Sequence, residues 1–531
     1  MISQFNTQAV IDTQSASFDA MLKEEEFANG FKKRLAAFMP AKRWYGAKDD
    51  EIVDMAFEHV CPLNDAHQTH LCIVRAVLRN AGEQLYQVPV RVAFEERAQE
   101  VCDKRADAVI AKICRGNDWG VVYDAAGGEN FASAMLELME KKENLPVANG
   151  VTLKTFATEK GRNLIKRNRG AQEKMMGVEQ SNTSIVIAKK MMLKIYRRVA
   201  VGSHPEVATT SFLTETAGFK NTPAYLGVAE LELPDGRPLA LAILQEFVAN
   251  EGDGWNYTLN YLKKFFEAAL EQNVAGDYHE EYLKLARRLG VRTAEMHKAF
   301  AKGEDAVFAP EPVTARDIAD WKAQVAAQEQ KTFAAMDANI DNLAGEAKAL
   351  TKKLAAHRAD VTKRLEAMIP ANVQAMKTRF HGDYHLGQVV LTQDGDFYLL
   401  DFEGEPLKPL MERQVKHCVL KDVAGMVRSF DYAAFGSVLM FVLPEQRAFL
   451  TPLVADWQKR ATQAFLDGYF ETAQGLVSLP EDRKTAQGLL DLFCMEKALY
   501  EVVYELMNRP DWVSIPVNGV CRLIDLEGEN R

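Results

Sequence analysis

The sequence predicts an α+β protein, strand-rich in its first half and mainly helical in its second. Three observations carry that expectation. Strand-like runs such as Leu71-Cys72-Ile73-Val74-Arg75-Ala76-Val77-Leu78 and Leu85-Tyr86-Gln87-Val88-Pro89-Val90-Arg91-Val92 cluster early in the chain, and β-branched and aromatic residues fit a pleated surface. After Asp253 the apolar spacing turns helical. The stretch from Thr314 to Lys377 is built of Ala, Lys, Glu and Gln, with Gly345 as its single glycine.

Taken in order, residues 1–110 combine an early helical stretch, Phe18 to Phe38, with the two long strand runs, and read as a small α+β cap. Residues 111–247 form a mixed region with short strands at Ser184 to Ala188, Met191 to Tyr196 and Leu239 to Leu244. Residues 248–531 form the helical part. Within it, Thr314 to Lys377 reads as two or three long helices broken at Pro370, a solvated element without chemistry of its own.

A chain of 531 residues, 47% hydrophobic and 26% charged, has material for several cores. No apolar run approaches the ~20 residues that span a bilayer, so a membrane protein is not expected. The start, Met1 to Thr7, lacks the basic and apolar regions of a secretory leader. Seven cysteines without a Cys-x-x-Cys pair read as reduced thiols in a cytoplasm and argue against zinc. A net charge of −10 argues against nucleic acid as the principal partner. The basic run from Lys160 to Arg169 reads either as a solvated face or as a tuner of nearby phosphates.

The densest chemistry lies in His381-Gly382-Asp383-Tyr384-His385-Leu386-Gly387-Gln388 and the apolar hairpin that follows, ending in Asp401-Phe402-Glu403. A two-residue turn at Asp394-Gly395 sets Gln393 against Asp396, Thr392 against Phe397 and Gln388 against Asp401. Facing residues have Cβ atoms ~5 Å apart. An amide and a carboxylate so placed suit Mg²⁺, a hard cation that keeps water and takes its other oxygens from phosphates. Asp383, in the loop beside them, is the candidate base. His381 and His385 are spaced as a metal pair only if helical, and Gly382 and Gly387 argue for a loop. His381 is therefore expected to hold the loop by hydrogen bonding, and His385 to pack in it.

Upstream, Gln180, Ser181, Asn182, Thr183 and Ser184 form a polar stretch that could turn N–H groups and hydroxyls toward a phosphate, or could simply make a turn. Lys194, in an apolar strand, reads either as a fixed charge aimed at that phosphate or as an edge gatekeeper. Leu239 to Val248 is an apolar strand that turns polar where the composition shifts, the place for a hinge whose exposed backbone reads an adenine edge. A phosphate turn, a strand lysine, a hinge, an Asp-bearing loop and a metal aspartate, in that order, match the parts needed for phosphoryl transfer.

Glu179-Gln180-Ser181-Asn182-Thr183-Ser184, Phe212-Leu213-Thr214-Glu215, Lys220-Asn221-Thr222-Pro223, Gln245-Glu246-Phe247-Val248, Glu251-Gly252-Asp253-Gly254-Trp255, His381 to Gln388, Asp401 to Pro406 and Asp422-Val423-Ala424-Gly425-Met426 together resemble the bacterial maltokinases. Arg43-Trp44-Tyr45-Gly46 and Asn508-Arg509-Pro510-Asp511-Trp512 extend the resemblance over nearly the whole chain. It implies an aminoglycoside-phosphotransferase-like, protein-kinase-like bilobal fold with an N-terminal cap, using ATP and Mg²⁺ to make maltose 1-phosphate on the route from trehalose to α-glucan. It implies maltose and ATP as binding partners, and a trehalose-converting enzyme as a neighbour. By position, Asp383 resembles the base that orients the anomeric hydroxyl, Gln388 and Asp401 the metal ligands, and Lys194 the phosphate lysine. Glu246 and Val248 fall where the hinge holds adenine.

Two departures stand out. Where the resembled family has an Asn-Pro-Asp-x-Glu-like stretch, this chain reads His204-Pro205-Glu206-Val207-Ala208, so Glu206 or Glu215 is expected to pair with Lys194. Lys416-His417-Cys418-Val419-Leu420-Lys421 replaces a Ser-Pro-Leu-Arg-like stretch on the acceptor side.

From Glu496 to Asn508, Leu499, Val502, Val503 and Leu506 form an apolar stripe, with Lys497, Tyr500, Glu501 and Tyr504 on the other face. Tyrosines beside a lysine and a carboxylate serve either helix packing or a disaccharide, and the resemblance points to sugar. Two rival readings keep the same residues: a kinase of an aminosugar, choline or aminoglycoside, or a nucleotide-binding pseudokinase scaffold suggested by Ala208.

Overall fold

Two seven-stranded sheets account for the described strands of the first half in the computed structural model, which describes residues 10–63, 65–177, 181–271, 278–368, 370, 372–405 and 408–525. The chain divides into two compact units, Met1–Ser211 with Ala224–Val248, and Phe212–Pro223 with Ala249–Arg531. The expected division of an α+β chain into a strand-rich part and a helical part holds.

The first sheet runs in the order Ile11–Asp12, Val109–Arg115, Asp118–Asp124, Gly82–Phe94, His70–Leu78, Ile52–Pro62, with Arg198–Val199 added on Gly82–Phe94. The expected cap boundary at residue 110 falls inside Val109–Arg115, and the sheet continues to Asp124. The early helical stretch is two helices, Phe18–Met21 and Glu25–Phe38. The longer one buries Phe27, Phe31 and Leu35, spaced four residues apart on one face. Phe31 stacks on Phe57 of the sheet with ring centres 6.0 Å apart.

The second sheet runs Leu145–Pro146, Thr152–Ala157, Tyr225–Glu232, Pro238–Glu246, Met191–Tyr196, Asn182–Ile187, Glu173–Met175, antiparallel throughout. Both faces of its central strands are buried, Ile185, Leu193, Ile195 and Leu244 on one and Leu241 and Ile243 with Lys194 on the other. Arg197 ties the two sheets together: its Nε donates to Thr183 Oγ1 at 2.8 Å and its Nη2 to Asp124 at 2.8 Å. The basic run is the helix Glu159–Arg167 and its flank, with Lys160 on Glu246 at 2.6 Å and Arg169 on Glu140 at 2.7 Å. The exposed cations of Lys160 and Arg169 fit the solvated-face reading.

In the second unit, Thr314 to Lys377 supplies three helices, Ala315–Asn339, Gly345–Ala356 and Arg358–Met368. Thr314 caps the first through its side chain, which accepts from Asp317 N at 3.2 Å. Helix Glu280–Phe300 packs along Pro444–Thr472, and Leu420–Phe441 along Arg483–Asn508. Among the described residues, no helix is long and apolar enough to cross a membrane.

Candidate active site

In the first unit, Lys194 sits on Met191–Tyr196, which is flanked on both sides by Asn182–Ile187 and Pro238–Glu246. A strand with two neighbours has no edge to guard, so the gatekeeper reading falls. The Lys194 side chain is buried and its Nζ lies 3.0 Å from Glu206 Oε2, itself buried. Glu206 opens helix Pro205–Ser211 and also accepts from Tyr196 OH at 2.9 Å. A buried ammonium is tolerated only with such a partner. Of the two expected acids, Glu206 is thus one that pairs with Lys194, and Ser184 lies opposite Lys194 in the ladder.

The expected phosphate turn needs correction. The strand starts at Asn182, because Asn182 through Ile187 pair along the whole length of Tyr196 to Met191. Asn182, Thr183 and Ser184 are thus buried strand residues, with Thr183 Oγ1 engaged by Arg197. Ser181 stays exposed before the strand, and Gln180 lies outside the described residues. At the end of its strand, Glu246 spends its N–H on Ala224 O at 2.9 Å and its carboxylate on Lys160. Val248, half-buried, is the last residue of this unit.

In the second unit, the segment carrying Asp383 is held at several points. Asp422, in the first turn of Leu420–Phe441, accepts the N–H of His381 at 2.7 Å and of Gly382 at 2.9 Å. Gly382 has φ 87°, which lets consecutive N–H groups converge on one carboxylate without a Cβ in the way. Asp422 also faces His297 Nε2 at 3.1 Å, and His297 Nδ1 meets Tyr469 OH at 2.9 Å. The loop is pinned further by Tyr384 OH to Thr293 Oγ1 at 2.8 Å and by Leu386 N–H to Ser429 Oγ at 3.0 Å. His381 holds the loop as expected: Nε2 donates to Leu400 O at 2.8 Å, so its unprotonated Nδ1 faces the Asp383 N–H at 3.4 Å. His385 accepts from Gly387 N–H at 3.0 Å and turns Nε2 toward Asp383, 4.0 Å away.

The hairpin register is one step from expectation. Val389 faces Leu399, Val390 faces Tyr398 and Leu391 faces Phe397. Thr392 N–H reaches Asp396 O at 2.9 Å and Gly395 N–H reaches Thr392 O at 3.0 Å, so the connection is the three residues Gln393, Asp394 and Gly395. Gly395, at φ 74°, takes the left-handed position that closes a three-residue hairpin. Gln388 consequently pairs with Leu400, whose N–H donates to Gln388 O at 2.8 Å. Asp401 then leaves the ladder with φ 63°, a conformation that aspartate tolerates, and brings its carboxylate to Gln388 Nε2 at 3.3 Å. The two side chains meet through this kink, not across the ladder. A carboxylate beside an amide whose oxygen can rotate inward is a hard-oxygen donor set, which fits Mg²⁺.

Asp383 opens onto a cavity of about 210 Å³ whose wall includes Lys497, Tyr500, Gln328, Lys421 and Glu496. Burial would lower the Lys497 pKa, but the carboxylates of Asp383, Glu501 and Glu405 hold it above its ordinary value. Tyr504 is exposed and outside the cavity wall, with Arg509 5.6 Å over its ring. Glu501 does not join the wall either. It lies on the border of the polar face, and Arg428 draws it inward, with Nε at 2.9 Å and Nη2 at 2.8 Å from its carboxylate. Sequence reasoning missed Asp422, Lys421, Glu496 and Gln328. Glu496, one turn before Tyr500, was legible from helical spacing, whereas Gln328 sits in the helix read as inert.

Residues 38–127 match the family model of the maltokinase N-terminal cap domain. A glucosamine kinase of Streptacidiphilus jiangxiensis is 27% identical over 344 residues, covering 64% of this chain and 70% of that protein. A solved glucosamine kinase structure superposes with a TM-score of 0.63 at 20% identity, covering 93% of this chain and 99% of the other. A second, of a glucosamine kinase in complex with glucosamine, ADP and inorganic phosphate, gives 0.59 at 21% identity, covering 93% and 98%. The chain therefore carries a maltokinase-type cap over residues 38–127 and has the kinase-like fold of the glucosamine kinase structures.

Proposed function

We propose that this maltokinase-like protein transfers the terminal phosphoryl group of ATP to a sugar hydroxyl, with the anomeric hydroxyl of maltose as acceptor. One observation carries the reading: Asp383, on a loop clamped by Asp422, shares a cavity wall with Lys497 and Tyr500. The sugar oxygen attacks the γ-phosphorus, a new O–P bond forms, the bond to the β,γ-bridging oxygen breaks, and ADP leaves. The hydroxyl proton passes to the Asp383 carboxylate. Lys194, oriented by Glu206, neutralises phosphate charge. Gln388 and Asp401 offer oxygen donors for Mg²⁺, which when bound supplies further neutralisation on the nucleotide phosphates. Glu246 ends the strand Pro238–Glu246 and Val248 follows it, and their backbone faces adenine in this reading.

The cavity lies below the roughly 300–1,000 Å³ of common ligand sites. It therefore encloses the reacting ring, and the second ring of maltose lies over the exposed faces of Tyr500 and Tyr504. The maltokinase-type cap supports maltose. Maltose 1-phosphate then feeds α-glucan synthesis from trehalose, with a trehalose-converting enzyme as the metabolic neighbour. The glucosamine kinase relative favours a second reading, an aminosugar acceptor. The test is Mg²⁺-dependent ADP release with maltose, glucose, trehalose and glucosamine. Turnover with maltose and a phosphate resonance at its anomeric carbon support the proposal, and turnover confined to glucosamine replaces it. Absence of turnover with every sugar removes both readings.

A further inference from the structure

Three of the four carboxylates on the wall of the acceptor cavity, those of Glu496, Glu405 and Asp422, are held at close range by a lysine or by backbone N–H groups. Glu496 holds the Lys421 ammonium with both oxygens, at 3.0 and 3.1 Å. Glu405 lies 3.1 Å from Lys408. Asp422 accepts two backbone N–H groups and faces His297. Asp383 shares the wall with Lys497, and His385 Nε2 lies 4.0 Å from the Asp383 carboxylate. Away from Asp383, the wall thus presents carboxylates that are already engaged, and the paired donor and acceptor at Lys421 and Glu496 suit an uncharged polyol.

Resting on the phosphotransferase reading above, we propose that Lys421 and Glu496 form a clamp for two adjacent hydroxyls of an uncharged sugar, and that this pair discriminates against acceptors carrying an ammonium group. The chemistry follows from donor and acceptor counts. One hydroxyl donates to Glu496 while its neighbour accepts from Lys421, and both bonds are charge-assisted. The side chains are 21% and 19% exposed, so they are within a ligand's reach yet partly withdrawn from water, where such bonds strengthen. An ammonium in place of one hydroxyl has no lone pair to accept from Lys421 and meets it as a like charge. Lys421 is held in place on its other side, with Nζ 5.8 Å from the Phe493 ring centre. It also lies in the Lys416 to Lys421 stretch, where the sequence departs from the family it resembles.

The experiment measures kcat/KM for maltose, glucose and glucosamine with Mg-ATP in the full chain and in Lys421→Met, Lys421→Arg and Glu496→Gln. The unmodified protein is expected to favour an uncharged sugar over glucosamine at least ~10-fold, within the range that hydrogen-bonded hydroxyl recognition reaches. Lys421→Met, which frees Glu496, shifts that ratio toward glucosamine ~10-fold or more with the KM for ATP unchanged. Lys421→Arg keeps the original preference, and the near-isosteric Glu496→Gln lowers uncharged-sugar use without any gain for glucosamine. A general loss of fold would depress turnover with all acceptors by the same factor, which these ratios separate from a change in selectivity. An unmodified protein that prefers glucosamine, or a Lys421→Met ratio that does not move, overturns the clamp while leaving the phosphotransferase reading standing. No ADP release with any sugar overturns both.

Discussion

The Asp422 carboxylate accepts the His381 backbone N–H at 2.7 Å while its other oxygen takes the next N–H, that of Gly382, at 2.9 Å. A single carboxylate thus fixes the two peptides that precede Asp383. Because His297 and Tyr469 continue the network into the core, the clamp is braced from behind. Asp422→Ala should lower kcat by ~100-fold through misplacement of the base, with the KM for ATP changed little. Steady-state kinetics separate the two, and an unaltered kcat would remove the positioning role.

Asp383 touches the acceptor in the proposed reaction and nothing else replaces its proton acceptance. Asp383→Asn should cost ~10²–10⁴ in turnover, the usual contribution of general base catalysis. Binding of a fluorescent ATP analogue should persist. Retained turnover would show that another group takes the proton.

Lys194 and Glu206 form a buried ion pair. Glu206→Ala removes the buried carboxylate 3.0 Å from the Lys194 ammonium and should destabilise the protein by about 3–5 kcal/mol. Replacing both, Lys194→Met with Glu206→Leu, should restore much of the stability and none of the activity. Urea unfolding alongside ADP release reads both quantities.

Glu501 belongs to the packing and not to the sugar site. Glu501→Ala breaks the pair with Arg428 and should cost about 3–5 kcal/mol, while Glu501→Gln leaves the sugar KM within about twofold, the ordinary scatter of a change away from the contact surface. A large rise in sugar KM with unchanged stability would return Glu501 to the site.

The Arg292 fork grips Asp396 at 2.8 and 2.6 Å and anchors the hairpin that carries Gln388. Burial would raise the Asp396 pKa, but the hydrogen bonds and charge of Arg292 bring it below its ordinary value. The folded state therefore favours the ionised carboxyl. The resulting stability is complete above the unfolded pKa of about 3.9 and is lost as pH falls through the lower folded value. The stability gap between the protein and its Arg292→Met variant should be constant above pH ~5 and shrink below pH ~4. A gap that widened in acid would contradict the sign.

The strand-rich and helical halves, the loop bearing Asp383 and the strand bearing Lys194 were all legible in the sequence, because period-two and helical spacing and glycine-flanked polar motifs are local signals. The family resemblance, not a local signal, drew attention to Ala208, and it left Glu206 and Glu215 as candidates to pair with Lys194. Only the tertiary structure chose Glu206, since a helix start sets which side chain reaches a strand. It also moved the hairpin by one residue, because Gly395 could close either a two- or a three-residue turn and the flanking strands' pairing selected the latter. Asp422, Lys421, Glu496 and Gln328 gather around Asp383 from segments far apart in the chain. The sequence by itself determined the chemistry that Lys194, Asp383, Gln388 and Asp401 can perform. Which charges face one another was decided by packing, because burial forces each ion to find a partner and that partner is set by three-dimensional distance, not by spacing along the chain.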